Sequence, residues 1–347
     1  MDSIGVLREV SERDNADGCI KDVLQTAAGL IGDDLGELET ALSDACDAAP
    51  GTLAAVCNHI VSAGGKQVRP FLCLLSFRAC GGTGALPMDL AAACELLHNA
   101  TLLHDDVIDE GDSRRGIPTA RIRFSNALSV LGGDYLLVQT VEKVAAREPA
   151  FMSAFLATMK QIVEGELTQL LRRGSVETTE EEYFRIIEGK TASLFRWSML
   201  SGAMAAGAAP PDRDALAEFG RHVGIAFQLM DDILDFTADP KILGKSLLAD
   251  IREGKMTLPV ILAAKKSPEL KKILTILAEE SEPADVQKTA KKISDAVRAL
   301  GTAEQVRAVA ADYTARALKS LSAVQNISTK FSSAIKELSL SLLYRDF

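Results

Sequence analysis

Residues 87–109 read PMDLAAACELLHNATLLHDDVID. Leu90, Ala93, Leu97 and Thr101 fall on one stripe at three- and four-residue spacing, which predicts an amphipathic helix rather than a strand. Pro87 suits its first turn and Gly111 its stop. The same periodicity predicts helices over 127–147, 151–171, 180–207, 212–237 and 257–264, and alternating strand-like runs are scarce. Gly64-Gly65, Gly81-Gly82, Pro210-Pro211 and Asp239-Pro240 punctuate them. No solenoid repeat and no Gly/Ser- or Pro-rich linker divides the chain, so we expect one large all-α domain over 21–347, a single-domain helical bundle. Residues 1–20 read as a loosely attached extension, and the charge-dense stretch 265–300 as a solvated peripheral helical region.

The composition narrows the function. Of 347 residues, Lys+Arg number 38 and Asp+Glu 48, a net charge of −10. Such a chain has no overall attraction for a phosphate backbone, which excludes general nucleic-acid binding. An anionic ligand would need a metal or a local basic pocket. Cys19, Cys46, Cys57, Cys73, Cys80 and Cys94 form no CxxC pair, arguing against a zinc site or disulfide framework. The opening MDSIGVLREVSERDN lacks the basic-then-apolar order of a signal peptide, and 192–209 is too short and polar to span a bilayer. A cytoplasmic location is expected.

Two aspartate clusters stand in apolar surroundings: Asp105-Asp106-Val107-Ile108-Asp109, and Asp231-Asp232-Ile233-Leu234-Asp235 within AFQLMDDILDF. Positions i and i+4 share a helix face, so Asp105 converges with Asp109 and Asp231 with Asp235. Carboxylates so close repel one another and resist desolvation; a divalent cation bridging them to phosphates relieves both costs. One such cluster reads equally well as an exposed acidic turn, but two embedded in apolar sequence read as a metal site. Cations flank them: Lys66 and Arg69 in GGKQVRP, Arg114-Arg115, and Lys190, Lys245 and Lys255 beside glycines. Arginine forks and lysine point charges are how proteins hold phosphate oxygens. Together these features describe a site for two polyphosphate-bearing substrates.

The ordered set GGKQVRP, ELLHNATLLHDDVIDEGDSRRGIPT, GGDYLL, EEEYFRIIEGKTASLF, GIAFQLMDDILDF and the block GK…D..EGKMTLP, running from about Ala63 to Pro259, resembles the trans-isoprenyl diphosphate synthases. The resemblance implies a helical bundle of the isoprenoid synthase type with a central cavity between the aspartate motifs, usually dimeric. It implies Mg²⁺, usually three ions per site. Carried over by position, Lys66, Arg69, His98 and Arg115 match the isopentenyl diphosphate site. Asp105, Asp106, Asp109, Asp231, Asp232 and Asp235 match the metal motifs, with Asp106 and Asp232 less directly involved. Arg114, Lys190, Thr191, Gln228, Lys245 and Lys255 match the partners of the allylic diphosphate. Gln67-Val68 and Leu247-Leu248-Ala249 depart from the family's usual residues.

The implied reaction ionises an allylic diphosphate, adds the double bond of isopentenyl diphosphate and eliminates a proton. It needs no side-chain nucleophile, and His59, His104 and His222 read as structural. Product length should follow cavity depth along the first aspartate helix. There Ala100 and Thr101 precede Asp105 where short-chain members carry large aromatic residues, so an octaprenyl-class product for quinone tails is expected; the other readings are that the alanines here only let helices pack closely, or that side chains on the helix over 133–144 set the cavity floor. Release of that product implies transient membrane contact. A short-chain farnesyl or geranylgeranyl diphosphate synthase is the alternative. A class I terpene cyclase is disfavoured by Lys66, Arg69 and Asp235, and a non-catalytic subunit of a heteromeric synthase by the two intact aspartate motifs.

Overall fold

Amphipathic helices bury their apolar stripes only by packing on one another. The computed structural model, which describes residues 29–31, 35–65, 67–237, 249–279 and 286–343, is helical nearly throughout. The first half comprises α1 (Leu35–Asp47), α2 (Thr52–Ser62), α3 (Val68–Ala79), α4 (Met88–Ile108), α5 (Asn126–Ala145) and α6 (Pro149–Leu171). There follow α7 (Glu180–Ile187), α8 (Ser193–Ala205), α9 (Pro210–Thr237), α10 (Leu258–Lys266), α11 (Pro268–Glu279), α12 (Val286–Ala299), α13 (Thr302–Ser322) and α14 (Thr329–Leu343). The expected extension 1–20, Lys66 and Lys245 lie outside the described residues.

Two apolar cores share α9. At 28 residues it is roughly 42 Å long at 1.5 Å per residue. Leu216, Phe219 and Val223 enter a larger core built with α1–α6, α8 and α14. Ile225, Leu229, Ile233 and Phe236 enter a second core with α7 and α10–α13. The second aspartate cluster therefore rides on the half of α9 that faces the second core. Close packing of α9 on α8 needs glycine, since a Cβ at Gly220 would lie 2.5 Å from the Phe195 carbonyl oxygen.

Three differences from the sequence expectations are informative. The helix expected over 180–207 is interrupted by a π-helical turn, Glu188–Ala192, between α7 and α8. A short hairpin, β1 (Ser113–Arg114) with β2 (Ile117–Pro118), follows the first aspartate cluster. Its turn residues Arg115 (φ 52°) and Gly116 (φ 78°) are both left-handed, the geometry of a type I′ turn. Finally, 265–300 is more than a solvated periphery, because Leu270, Leu274, Ala290, Ile293 and Val297 are buried in the second core.

Candidate active site

One cavity of about 590 Å³ joins both aspartate motifs. His98, Thr101, Asp105 and Ile108 line it from α4 at three- and four-residue spacing, with Leu102 and Asp109 beside them. From α9 come Phe227, Gln228, Asp231 and Asp232. Of the two expected chain-length positions, Thr101 lines the cavity, whereas Ala100 is 2% exposed in the larger core. The expectation that Ala100 faces the cavity is corrected by helix geometry: one residue turns the side chain by about 100°, off the lining face. Asp106 is likewise buried behind the lining face, at 2% exposure.

The π turn sets Lys190. A wider turn brings the backbone of Gly189 against α6, where a Cβ would meet the Gln161 carbonyl oxygen at 2.5 Å. Lys190 Nζ then lies 2.6 Å from Glu166 and 3.2 Å from Asp105. Burial opposes the Lys190 charge, yet Asp105 and Glu166 outweigh it and raise its pKa. Glu166 is itself pushed upward by burial and by Asp105. At the other end of the motif, Lys255 Nζ donates to Asp109 Oδ2 at 2.7 Å and to Glu253 at 2.6 Å. Burial would raise the Asp109 pKa, but Lys255, Lys190 and Arg173 carry it below its ordinary value.

On α9, a chain of hydrogen bonds fixes Asp232. Thr191 donates to Gln228 Oε1 (2.8 Å), Gln228 donates to Asp232 Oδ1 (2.8 Å), and Tyr183 donates to Asp232 Oδ2 (2.6 Å). Burial, reinforced by Asp250, raises the Asp232 pKa well above its ordinary value. Asp235 lies one turn on, buried at 7% exposure.

The third group of expected residues clusters around α3 and α4. Arg69 stacks 4.7 Å over the Phe195 ring, and burial lowers its pKa to about 10 against the opposing charge of Glu95. Burial and the positive charges of Arg69, Arg115 and Arg114 hold the His98 pKa well below its ordinary value. The Arg115 guanidinium sits close against Gly65, where an added Cβ would lie 3.0 Å from it. Arg114, expected on the allylic diphosphate, places both Nε (2.9 Å) and Nη2 (2.7 Å) on Asp106 Oδ1, although it also lines the cavity.

Sequence reading missed Glu95, Glu166, Tyr183, Arg173 and Asp250. Glu95, Tyr183 and Asp250 lie within segments that carry the family resemblance, and the Thr179–Glu182 capping box starts α7, but nothing local marks what they contact. Glu166 and Arg173 lie outside those segments, and all five roles arise from packing between distant parts of the chain. Among the described residues no three His, Cys, Asp or Glu side chains form a set that could hold a metal ion by themselves. No described helix is long and apolar enough to cross a membrane.

Residues 50–297 match the model of the polyprenyl synthetase family. The chain is 37% identical over 265 residues to octaprenyl diphosphate synthase of Escherichia coli, covering 76% of this chain and 81% of that one. It is 39% identical over 244 residues to all-trans-nonaprenyl-diphosphate synthase (geranyl-diphosphate specific) of Rhodobacter capsulatus, covering 70% and 75%. Its fold superposes on a polyprenyl synthase from Caulobacter crescentus complexed with calcium and isoprenyl diphosphate, with a TM-score of 0.86, 30% identity and coverage of 93% and 98%. With both aspartate motifs and their lysines inside the matched span, the chain belongs to the polyprenyl synthetase family and is a prenyltransferase enzyme.

Proposed function

We propose that the chain condenses isopentenyl diphosphate onto an allylic diphosphate in a Mg²⁺-dependent reaction and builds a long, all-trans polyprenyl diphosphate of the octaprenyl class. The observation that carries this reading is the shared cavity. Asp105 of α4, Asp109 at its C-cap, and Asp231 and Asp232 of α9 line one space with Lys190, Lys255 and Arg69.

The donor set fits Mg²⁺, a hard cation usually held by one or two carboxylates with substrate phosphates completing its shell. Asp105, Asp109 and Asp231, which line the cavity, and Asp235, one turn further along α9, are the residues that would hold it. When bound, Mg²⁺ supplies charge neutralisation for the diphosphate leaving group. Lys190 and Lys255 stand at the same carboxylates, placed to stabilise the negative charge that grows on the diphosphate as the allylic C–O bond breaks. Ile108, Met159, Ile162, Leu194 and Phe227 line the cavity with apolar surface that keeps water from the allylic cation. Arg69 and His98 hold the second diphosphate, so that the isopentenyl double bond attacks the cation. A carbon–carbon bond forms, and the departing diphosphate takes the proton.

The long-chain reading is supported by two features. Thr101 and Leu102, rather than aromatic residues, line the cavity from α4, and α6 adds an apolar wall of Met159, Ile162, Val163, Leu167 and Leu170. The octaprenyl and nonaprenyl relatives agree with it. A homodimer is supported by exposed apolar residues on adjacent helices, including Leu131 and Val138 of α5 and Leu156 of α6.

Incubation with Mg²⁺, isopentenyl diphosphate and farnesyl diphosphate, followed by chromatography of dephosphorylated products, tests the reading. Chain extension is expected, and Asp105→Ala or Asp231→Ala should each cut turnover by about 10²–10³-fold with helicity retained. Inactivity with dimethylallyl, geranyl and farnesyl primers alike would sink it. Cyclised hydrocarbon products would instead indicate a terpene cyclase.

A further inference from the structure

Arg173 lies just past the C-terminal end of α6, outside every motif of the sequence, and its guanidinium contacts three separate places. Nε donates to the Glu253 carbonyl oxygen at 2.8 Å, Nη1 donates to the Ile108 carbonyl oxygen at 3.1 Å, and Nη2 lies 3.3 Å from Asp109 Oδ1. The backbone reinforces this bridge: Gly174 N–H donates to the Gly254 carbonyl oxygen at 2.8 Å. Gly254 adopts φ +72°, and a Cβ there would crowd Arg173 Cγ and Gly174 N, each at 3.1 Å. The next residue is Lys255, which holds the other oxygen of Asp109. Asp109 is thus gripped at Oδ1 by Arg173 and at Oδ2 by Lys255, from segments more than sixty residues away in sequence.

The geometry is specific to arginine. A planar fork reaches two backbone carbonyls and a carboxylate at once; a lysine ammonium is a single point and cannot span them. One carbonyl closes the C-terminal end of α4, whose last residues carry the first aspartate motif, and the other begins the turn that presents Lys255. Arg173 does not line the main cavity, but it borders a void of about 10 Å³, the size of one water, shared with Asp109, Glu166 and Lys255.

We propose that Arg173 is a positioning residue for the allylic half of the site: it holds the Asp109 end of α4 and the Lys255 turn in register, so that the carboxylate and the ammonium meet one diphosphate from fixed positions. The proposal rests on the function proposed above, which assigns Asp109 and Lys255 to the allylic diphosphate and its metal. The isopentenyl diphosphate side, built on Arg69, His98 and Arg115, receives no contact from Arg173 and should be untouched.

The test compares wild type with Arg173→Gln and Arg173→Lys. Wild-type chain extension is measured first; its absence would overturn the function proposed above and this proposal with it, whereas the outcomes below bear on Arg173 alone. With an active wild type, R173Q should raise the KM for farnesyl diphosphate about tenfold and leave the KM for isopentenyl diphosphate within twofold. A second readout needs no turnover. Mg²⁺ with inorganic diphosphate should raise the melting temperature of the wild type, since a ligand of the folded state stabilises it by mass action. In R173Q about tenfold more Mg²⁺ should be needed for half that rise. R173K should recover part of both effects; if R173Q does not fold, R173K by itself should show the same split between substrates. Unchanged KM values and Mg²⁺ midpoint would overturn the proposal. Equal loss for both substrates accompanied by a lower ligand-free melting temperature would overturn it too, reducing Arg173 to a structural tie.

Discussion

The phenol of Tyr183 donates a 2.6 Å hydrogen bond to Oδ2 of Asp232, a carboxyl 3% exposed between α7 and α9. The two residues are 49 apart in sequence. Gln228 holds the other oxygen, so the second aspartate of the second motif has both oxygens satisfied within the protein. That arrangement separates its role from that of Asp231, which lines the cavity beside it. Removing the phenolic hydroxyl leaves a buried acceptor without its donor, a loss of about 1–3 kcal/mol. Tyr183→Phe should therefore lower the free energy of unfolding by that amount, read as a lower urea midpoint at an unchanged slope, and an unshifted midpoint would show that Tyr183 does not anchor Asp232.

Gly189 is a second point of control. Any side chain there meets the Gln161 carbonyl oxygen and the Gly165 Cα at the crossing with α6. Gly189→Ala should push the π turn outward, lengthen the Lys190–Glu166 contact and cost about 1–3 kcal/mol in stability through overpacking. A misplacement of about 1 Å of a group at the chemistry costs as much as 10²-fold in rate, so turnover should fall far more than the melting temperature suggests. Steady-state kinetics beside a melting curve checks this, and near-normal kcat would mean that Lys190 reaches its place without the turn.

Thr101 and Ala100 separate cavity depth from core packing. Thr101→Phe should fill the lining and shorten the product while the first condensations proceed. Ala100→Phe places the same ring in a closed core and should cost about 1–3 kcal/mol with the product length unchanged. Chromatography of products from both variants decides between them, and a shortened product from A100F with T101F at full length would reverse the assignment.

The pH dependence of stability has a definite sign at His222. Burial, with Arg221 adding to it, lowers its pKa from 6.5 to about 4 in the folded state. Below pH 6.5 the unfolded chain binds a proton there that the folded chain does not, so stability is lost as pH falls from about 6.5 towards 4. His222→Gln removes this dependence. The stability gap between wild type and H222Q, measured by urea unfolding at several pH values, should narrow steadily across that window. A gap constant with pH would show that the imidazole is accessible when folded.

The one-dimensional pattern was sufficient wherever a property is local. Three- and four-residue spacing of Leu90, Ala93, Leu97 and Thr101 determined the α4 helix, and i, i+4 geometry determined that Asp105 pairs with Asp109 on one face. Residue type alone placed hard oxygen donors and phosphate-binding cations in the same chain. Tertiary structure decided everything that depends on which distant segments touch. The π turn exists because Gly165 and Gly189 let two backbones meet, and a sequence pattern with a helical period does not register one extra residue in a turn. Ala100 and Thr101 are adjacent and both small, yet one is core and the other cavity lining, because only the packing of neighbouring helices selects which face of α4 is covered. Tyr183 on Asp232 and Arg173 on Asp109 are likewise long-range partnerships: burial supplies the energetic reason to satisfy each carboxylate, and the fold alone determines which donor lies within reach.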